Sequence, residues 1–352
     1  MSQLFNIMTH KISIILPNLN HLRFLPDRIG SITSQTFIDW ECIVIDGFSD
    51  DGSWEYLKKI ADSDNRFRLY REPPIGPYNA WNKGISRAKG KYVYIATSDD
   101  TMEPTCIEKM YDALERHTQC QIAHCCLTII DEGGANHPIQ WNKGGVATFF
   151  GDLINKSHIR YTPHDVFVHG GWSTVFRSIT QILIKKDLFE TTGLFRENLG
   201  SVADFEWGVR AALMANIIHI PEYLATWRKY PEQLTDAKYI ASDKFSSLLC
   251  DMVEMAYEKV GHIKNEISAS DVKKIMYVYR RQLLSRSYKQ MSLMKYLFLI
   301  LNHFKDHRQA TFDFIISVIT FKQCKRLNIE HYIRSLLANY DGGKQLIEIL
   351  KN

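Results

Sequence analysis

The sequence lacks the motifs that define several nucleotide-binding and redox classes. It has no G-x-G-x-x-G loop, and this absence excludes a Rossmann dehydrogenase. A nucleotidyltransferase usually carries a glycine-rich loop after its first strand, whereas the segment PNLNHLRFLP holds no glycine. The seven cysteines are odd in number and form no C-x-x-C pair, which indicates a reducing compartment rather than a disulfide framework.

Long apolar runs are also missing. The longest, near Tyr296–Leu301, is far short of the roughly 20 residues that span a bilayer. The first residues, MSQLFNIMTHK, lack the basic start and the apolar stretch of a signal peptide. We therefore expect a cytoplasmic protein, and one that can rest on the cytoplasmic face of a membrane as a peripheral protein.

The excess of positive charge is small, at +4 over 352 residues, and it is unevenly distributed. Residues 236–352 hold 19 lysines and arginines against 12 acids, which indicates either an anionic surface near this segment or a solvated helical face. The rest of the chain is near neutral, and it offers too little basic and aromatic surface for nucleic acid. The length predicts about two domains, which we place at 1–235 and 236–352.

The pattern of the first hundred residues predicts an α/β fold. Apolar runs at 12–16, 41–45, 67–70 and 91–97 are typical of buried parallel strands, and helical spacing separates them. Alternation of this kind indicates a mostly parallel, doubly wound sheet flanked by helices. After Thr235 the pattern is helical to the end of the chain.

Polar residues follow three of these strands, at the edge where open α/β sheets bind ligands. They are Pro17 and Asn18, Asp46, and the run Ser98, Asp99 and Asp100. Adjacent carboxylates suit Mg²⁺ or Mn²⁺ shared with substrate phosphates, although an acidic pair before a helix is also a common cap. Asp46 can accept a hydrogen bond from a base imide or a ribose hydroxyl, or it can simply shape the turn before Gly47.

The segment Gly76–Gly84 mixes turn formers, aromatics, amides and a lysine at a predicted helix start. Asn79 and Asn82 share one side of that helix, where backbone N–H groups favour anions. Lys83 can meet a phosphate or remain solvated.

Taken together, three segments resemble the family two inverting glycosyltransferases with the GT-A fold. The segments are ISIILPNLN, SITSQTFIDWECIVIDGFSDDGS and GPYNAWNKGISRAKGKYVYIATSDD, and GLFRENLGSVADFEWGVRAA is a weaker continuation. They match a Pro-Thr-Tyr-Asn-like strand end, a V-D-G-G-S-T-D-G-T-like turn, an A-x-N-x-G helix start and a D-x-D-D metal motif. The resemblance is strongest over residues 12–100.

The resemblance implies a role for each matching residue. Pro17 and Asn18 would lie near the base, and Asp46 would read it. Asn79, Asn82, Lys83 and Ser98 would line the nucleotide-sugar pocket, and Asp99 with Asp100 would hold the divalent cation. Asp204 matches the general base, with Glu206 as the alternative, and a position at a helix N-terminus would lower the pKa of this base. Arg228, within Trp227–Lys229, would reach donor phosphates or the acceptor.

Three residues depart from the family pattern. Thr97 stands where D-x-D has its first aspartate, Phe48 replaces a small residue in the turn, and Ala203 replaces the glutamate that often precedes the base. These departures keep open a non-catalytic relative that binds sugar nucleotides or glycans, beside the nucleotidyltransferase alternative. We nevertheless expect a metal-dependent inverting glycosyltransferase that moves a hexose or N-acetylhexosamine from a nucleoside-diphosphate sugar, with UDP favoured, in polysaccharide biosynthesis.

Between Lys273 and Lys295 lie seven basic residues uninterrupted by an acid and interleaved with apolar and aromatic ones. Such a helix can lie on an anionic membrane surface. The family resemblance implies a glycan or lipid-linked acceptor, which suits that interpretation. The alternatives are packing onto the donor domain and a homodimer contact. His164, His169, Trp172 and Arg177 are candidate acceptor contacts, and buried or loop roles are the simpler expectation for them.

Overall fold

A computed structural model describes residues 10–231, 233, 243–264, 267–277, 329–340 and 345–350, with isolated positions between 294 and 315. The strands are β1 (Ile12–Asn18), β2 (Trp40–Asp46), β3 (Phe67–Arg71), β4 (Tyr92–Ile95), β5 (Ile122–Ile130), β6 (His158–Arg160), β7 (Ile182–Lys185), β8 (Ile217–Arg228) and β9 (Ile347–Ile349). The helices are α1 (Leu25–Thr33), α2 (Ser53–Ser63), α3 (Pro77–Arg87), α4 (Cys106–Arg116), α5 (Val146–Phe150), α6 (His164–Gly171), α7 (Leu188–Thr192), α8 (Ala203–Met214), α9 (Asp243–Lys264) and α10 (Ile329–Tyr340).

The described strands form one sheet in the order β3-β2-β1-β4-β7-β5-β8-β6-β9. The pairs β3–β2, β2–β1 and β1–β4 are parallel, which confirms the predicted α/β sheet. β7 then runs antiparallel to both β4 and β5, and β8 returns parallel to β5. The carboxyl ends of β1, β2 and β4 therefore open on the same edge.

Apolar sequence explains why β1, β2 and β4 occupy the centre. β2 and β4 are buried at every residue, as suits strands covered by helices on both faces. α3 lies directly on β1, because a Cβ at Gly84 would come 2.3 Å from Cγ2 of Ile15. Gly84 therefore permits the approach that brings the N-terminus of α3 to the ligand edge.

The C-terminal segment is not helical throughout, because β9 pairs with β6 and extends the sheet. α9 packs against α8, and α10 packs against α6. At the start of the basic segment, Ile275 and Met276 are buried, so its described residues pack onto the fold; most of the remainder lies outside the described residues. Among the helices that can be described, none is both long and apolar enough to cross a membrane. The boundary at 235 stays a prediction.

A buried polar network lies where β5, β6 and β8 meet. Nδ1 of His124 lies 3.1 Å from Nδ1 of His219, and Nε2 of His219 lies 2.9 Å from the carbonyl oxygen of Ile154. Arg160 contacts Nε2 of His158 at 3.0 Å and donates from Nε to both carboxylate oxygens of Asp165 at 2.9 Å. Burial lowers the pKa of His158 to about 2 and that of His219 to about 3.

Candidate functional site

At the ends of β1 and β2, Asp46 organises a compact turn. Its Oδ1 accepts hydrogen bonds from Nδ2 of Asn18 at 2.9 Å and from Oγ of Ser49 at 2.6 Å, while Oδ2 accepts from the backbone N–H of Ser49 at 3.0 Å. Nε of Arg71 lies 3.4 Å from Oδ2. The side chain of Asp46 is fully buried under these donors. In this arrangement Asp46 positions Asn18 and Arg71 and does not face solvent itself. Pro17, just before Asn18, is half-buried.

Just after β4, the side chain of Asp99 has one carboxylate oxygen that is hydrogen-bonded and one that is available to a ligand. It is partly exposed, and its Oδ2 accepts a hydrogen bond from the hydroxyl of Tyr230 at 2.8 Å. Oδ1 accepts none from the part of the chain that the structure describes. Ser98, predicted beside it, is buried and shares a 2.6 Å hydrogen bond with Nδ1 of His21. His21 belongs to the loop after β1, so this bond joins the two strand ends.

Asp100 faces the protein interior. Its Oδ1 accepts from the backbone N–H of Arg228 at 2.7 Å, and its Oδ2 accepts from Oγ1 of Thr97 at 2.6 Å and from Oγ of Ser178 at 3.4 Å. Burial, together with the charge of Asp99, raises the pKa of Asp100 to about 7. With both oxygens hydrogen-bonded within the protein, Asp100 supports the strand end.

Arg228 is buried and links three segments around the same edge. Its Nε donates to the carbonyl of Asp99 at 2.7 Å, its Nη1 to the carbonyl of Glu132 at 2.7 Å, and its Nη2 to Oδ2 of Asp27 at 3.1 Å. The guanidinium also lies over the ring of Phe24. Arg228 thus fixes the backbone of Asp99, and in this arrangement its donors serve the protein rather than a phosphate.

The amides of α3 hold a neighbouring loop. Nδ2 of Asn79 donates to Glu197 at 2.8 Å, and Nδ2 of Asn82 donates to Glu197 and to the carbonyl of Phe195, both at 2.9 Å. Oδ1 of Asn82 accepts from the N–H of Phe195. Lys83 pairs with Glu72 at 2.7 Å. Within the described residues, none of these side chains hydrogen-bonds to a strand-end carboxylate. Asn79 and Asn82 fix the loop that leads toward α8, whereas Lys83 holds Glu72 just after β3.

Asp204 occupies the first turn of α8, where an acid is favoured by the helix dipole. Its Oδ1 accepts from the hydroxyl of Tyr78 at 3.2 Å and from the backbone N–H of Phe205 at 2.8 Å. Tyr78 is buried near the N-terminus of α3, where Pro77 begins the helix. The expected lowering of the pKa of Asp204 is wrong: burial raises it, and the two hydrogen bonds offset the rise only in part.

Glu206, the alternative base, is fully buried within α8. Its carboxylate accepts from Nε of Arg210 at 2.9 Å and from Nη2 at 2.6 Å, and Nε of Arg196 lies 3.5 Å away. A carboxylate held in this two-point pair has no access to an acceptor hydroxyl. The geometry therefore favours Asp204.

Residues 173–178 join the β4 end to the start of α8. Ser178 reaches Asp100, while the N–H of Val175 donates to Nδ1 of His169, whose Nε2 lies 3.0 Å from the carbonyl oxygen of Phe205. His169 is buried, so its role is structural, as is that of buried His164. A small cleft of about 70 Å³ adjoins residues 173–178, and Arg177 at its wall stacks on Trp227. The sequence neighbours of Asp99 and Asp204, which are Asp100 and Phe205, thus both contact residues 169–178.

Sequence reasoning missed several residues that complete this arrangement. They are His21, Arg71, Tyr78 and Tyr230. Two of them lie in or beside a motif: Tyr78 is inside the segment Gly76–Gly84, and Tyr230 directly follows Trp227–Lys229. Position next to a motif is the signal by which the sequence could have indicated them. The contacts of Tyr78 with Asp204 and of Tyr230 with Asp99 each join residues more than a hundred positions apart.

One carboxylate with an available oxygen fits a cation that binds chiefly through substrate phosphates. Among the described residues, no three histidines, cysteines or acids gather around one point, so an all-protein cage is not offered there. Asp99 supplies the oxygen ligand that Mg²⁺ or Mn²⁺ prefers.

The model of the family described as glycosyl transferase family 2 matches residues 13–191. Glycosyltransferase GlyG of Streptococcus pneumoniae is 36% identical over 109 residues, which are 31% of this chain and 36% of that protein. The putative teichuronic acid biosynthesis glycosyltransferase TuaG of Bacillus subtilis is 32% identical over 102 residues, 29% and 40% of the two chains. These matches span well under half the length of either relative.

Solved structures match over nearly the whole chain. S. aureus TarS in complex with UDP-GlcNAc superposes with a TM-score of 0.62 at 15% identity, covering 94% of this chain and 89% of that one. The mannosyltransferase PcManGT of Pyrobaculum calidifontis, in complex with GDP-Man and Mn²⁺, gives a TM-score of 0.50 at 13% identity, covering 95% and 88%. At these identities the likeness concerns the fold, and it confirms the expected GT-A architecture.

Proposed function

Because this chain belongs to glycosyl transferase family 2, we propose that it transfers a sugar from a nucleoside-diphosphate sugar to an acceptor hydroxyl, with inversion at the anomeric carbon. The observation that carries this proposal is a pair of partly exposed carboxylates, Asp99 at the end of β4 and Asp204 at the N-terminus of α8. Their sequence neighbours are tied to one segment, since Asp100 accepts a hydrogen bond from Ser178 and the carbonyl oxygen of Phe205 lies 3.0 Å from Nε2 of His169. A UDP-sugar is the favoured donor, since a structural neighbour was solved with UDP-GlcNAc.

In this mechanism Asp204 takes the proton from the acceptor hydroxyl as the hydroxyl attacks the sugar. Burial raises the pKa of this carboxyl and so makes it a stronger base, while the hydroxyl of Tyr78 fixes its orientation. Asp99 would hold Mn²⁺ or Mg²⁺, and such an ion offsets the charge that develops on the leaving diphosphate. Arg228 and Tyr230 keep Asp99 in place.

Asp99→Asn should abolish most of the gain in UDP affinity that Mn²⁺ provides. The variant removes the charged ligand, and a charge-assisted contact contributes roughly 1.5–3 kcal/mol, or about ten- to a hundredfold in affinity. Calorimetric titration of UDP with and without Mn²⁺ measures this gain. Glu132→Gln is the matched control, because its exposed carboxylate lies near the same edge and, among the described residues, forms an ion pair with Arg23. Equal Mn²⁺ dependence in Asp99→Asn and wild type would remove the metal assignment.

Tyr78→Phe should shift the acidic limb of the pH–rate profile to higher pH. The hydroxyl of Tyr78 lowers the pKa of Asp204, so its loss raises that pKa and the base becomes protonated at a higher pH. We expect the limb to move in this direction because the hydrogen bond from Tyr78 favours the ionised carboxylate. The profile of donor turnover between pH 5 and 9 measures it. An unmoved limb with lower activity at every pH would assign Tyr78 to packing alone.

The acceptor belongs to the same proposal. We place a glycan or a lipid-linked glycan in the cleft beside residues 173–178, where Arg177, which lies over the ring of Trp227, forms part of the wall. Action on such an acceptor in polysaccharide biosynthesis suits a protein that docks on the cytoplasmic membrane surface through its basic segment. Donor hydrolysis in the presence of Mn²⁺ separates this enzyme from a non-catalytic relative, because a protein that only binds the donor leaves it intact.

A further inference from the structure

Phe48 adopts a backbone conformation that bulky residues avoid. Its φ is +60°, in the left-handed region where a Cβ crowds the chain and glycine is favoured. The related turns of the family carry a small residue there. Such backbone outliers cluster at functional sites. The unfavourable conformation of Phe48 therefore suggests a function for its aromatic ring.

The ring of Phe48 contributes little to the core, since 54% of the residue is exposed. It is nevertheless held in position, because the guanidinium of Arg71 lies 5.2 Å from its centroid and 4.5 Å from that of Trp54. Arg71 is itself fixed by Asp46 and by the carbonyl of Ser49. An exposed aromatic ring is thereby presented in a defined place beside the predicted base pocket.

The surroundings of Phe48 suit a flat, partly apolar ligand. Leu19 and Ile75 are also exposed, at 48% and 66%, and a Cβ on Gly47 would lie 3.1 Å from Cδ1 of Leu19. The amide oxygen of Asn18 is buried and, in the described part of the chain, has no hydrogen-bond partner. A buried acceptor left unpaired costs free energy, and a ring N–H of the kind in uracil, thymine or guanine would offset that cost.

We propose that Phe48 is the platform on which the base of the donor nucleotide stacks, and that it determines affinity for the nucleoside part of the donor. The inference rests on the proposed function, because it concerns the same donor site. Stacking on an aromatic side chain tolerates any base and contributes appreciably to binding. Phe48 therefore selects a nucleotide over a bare diphosphate, while the acceptor at Asn18 favours bases that carry a ring N–H.

The test is Phe48→Gly in the full chain, with UDP and pyrophosphate titrated in the presence of Mn²⁺. We expect UDP affinity to fall roughly five- to a hundredfold, the range that loss of base stacking gives, while pyrophosphate affinity stays unchanged. The midpoint of urea unfolding should stay the same or rise, because glycine adopts a positive φ without strain. A purely structural role predicts the opposite pattern, with stability lowered and UDP affinity kept.

Two further variants make the result specific. Phe48→Tyr keeps the ring and should bind UDP like the wild type, whereas Phe48→Asn tolerates the left-handed conformation but should lose affinity like the glycine variant. Ile38→Ala removes a comparably exposed apolar side chain elsewhere and should leave UDP binding intact. If the wild type binds UDP and Phe48→Gly binds it equally well, stacking is overturned and the proposed function stands. If the wild type binds none of UDP, GDP and dTDP, the proposed function itself is overturned, and the stacking proposal that rests on it is overturned with it.

Discussion

Replacing Asp204 by asparagine should lower turnover by roughly 10²- to 10⁴-fold, the contribution that a general base typically makes, and leave donor binding nearly intact. Asparagine can still accept the hydrogen bonds from Tyr78 and Phe205, so the local geometry is kept while the proton acceptor is lost. Initial rates with a saturating UDP-sugar, alongside UDP titration, measure the two effects separately. Normal turnover in Asp204→Asn would exclude it as the base.

Two control variants distinguish this loss from a general effect of removing an acid from a helix start. Glu55→Gln removes an exposed acid from the first turn of α2 and should leave turnover unchanged. Glu206→Gln breaks the buried pair with Arg210, and removal of one partner of such a pair costs about 3–5 kcal/mol. It should therefore lower the urea midpoint strongly, whereas Asp204→Asn should hardly move it.

The three departures from the family pattern have physical accounts in the structure. At the position of the family's first aspartate, Oγ1 of Thr97 donates a hydrogen bond to Asp100 at 2.6 Å. The threonine therefore shapes the strand end without a second carboxylate. Ala203 is fully buried at the start of α8, where a glutamate would bring a charge into the interior. Phe48 is the third departure, and its side chain faces solvent. We propose that it contacts the base of the donor nucleotide.

Much of the central sheet could be predicted from the sequence, because its strands are short continuous apolar runs. The runs at 12–16 and 41–45 correspond to Ile12–Asn18 and Trp40–Asp46, and the polar residues Asn18 and Asp46 end these strands side by side. The apolar runs of β5 and β7 were not assigned as strands. The antiparallel insertion of β7 between β4 and β5 is set by pairing between distant segments, and no local pattern encodes such pairing.

The finer chemistry of the site was harder to predict for the same reason. The position of Asp204 at a helix N-terminus indicates a lowered pKa when considered alone, yet burial by the surrounding segments outweighs the dipole and raises it. Likewise, Asp99 and Asp100 are adjacent in sequence, but one is partly exposed and the other is buried beneath Arg228 and Thr97. The environment, rather than the residue type, separates their roles.

The free energy of unfolding should fall steeply between pH 7 and pH 5 because the fold buries neutral histidines. Burial holds the pKa of His124, His158, His169 and His219 well below the ordinary 6.5, to about 4 for His169, so each stays neutral at pH 5. Below pH 6.5 the histidines of the unfolded chain take up protons that those of the fold do not. Between pH 7 and pH 5 this lowers the free energy of unfolding by about 2 kcal/mol for each histidine. Asp100 acts in the opposite sense, because its raised pKa of about 7 stabilises the fold as the pH falls, by about 2 kcal/mol.

The expected net loss is therefore roughly 6 kcal/mol, a large part of the stability of an ordinary domain, and urea unfolding at pH 7.5, 6.5, 5.5 and 5.0 measures it. His219→Gln should make the pH dependence shallower by about one proton, since the variant has one group fewer to protonate on unfolding. His262→Gln, at an exposed position of α9, should leave the slope unchanged. A free energy of unfolding that stays level from pH 7 to pH 5 would contradict the neutral, buried state of these side chains. A histidine that is already charged in the fold, or accessible enough to become charged there, takes up no additional proton on unfolding and so does not lower the stability.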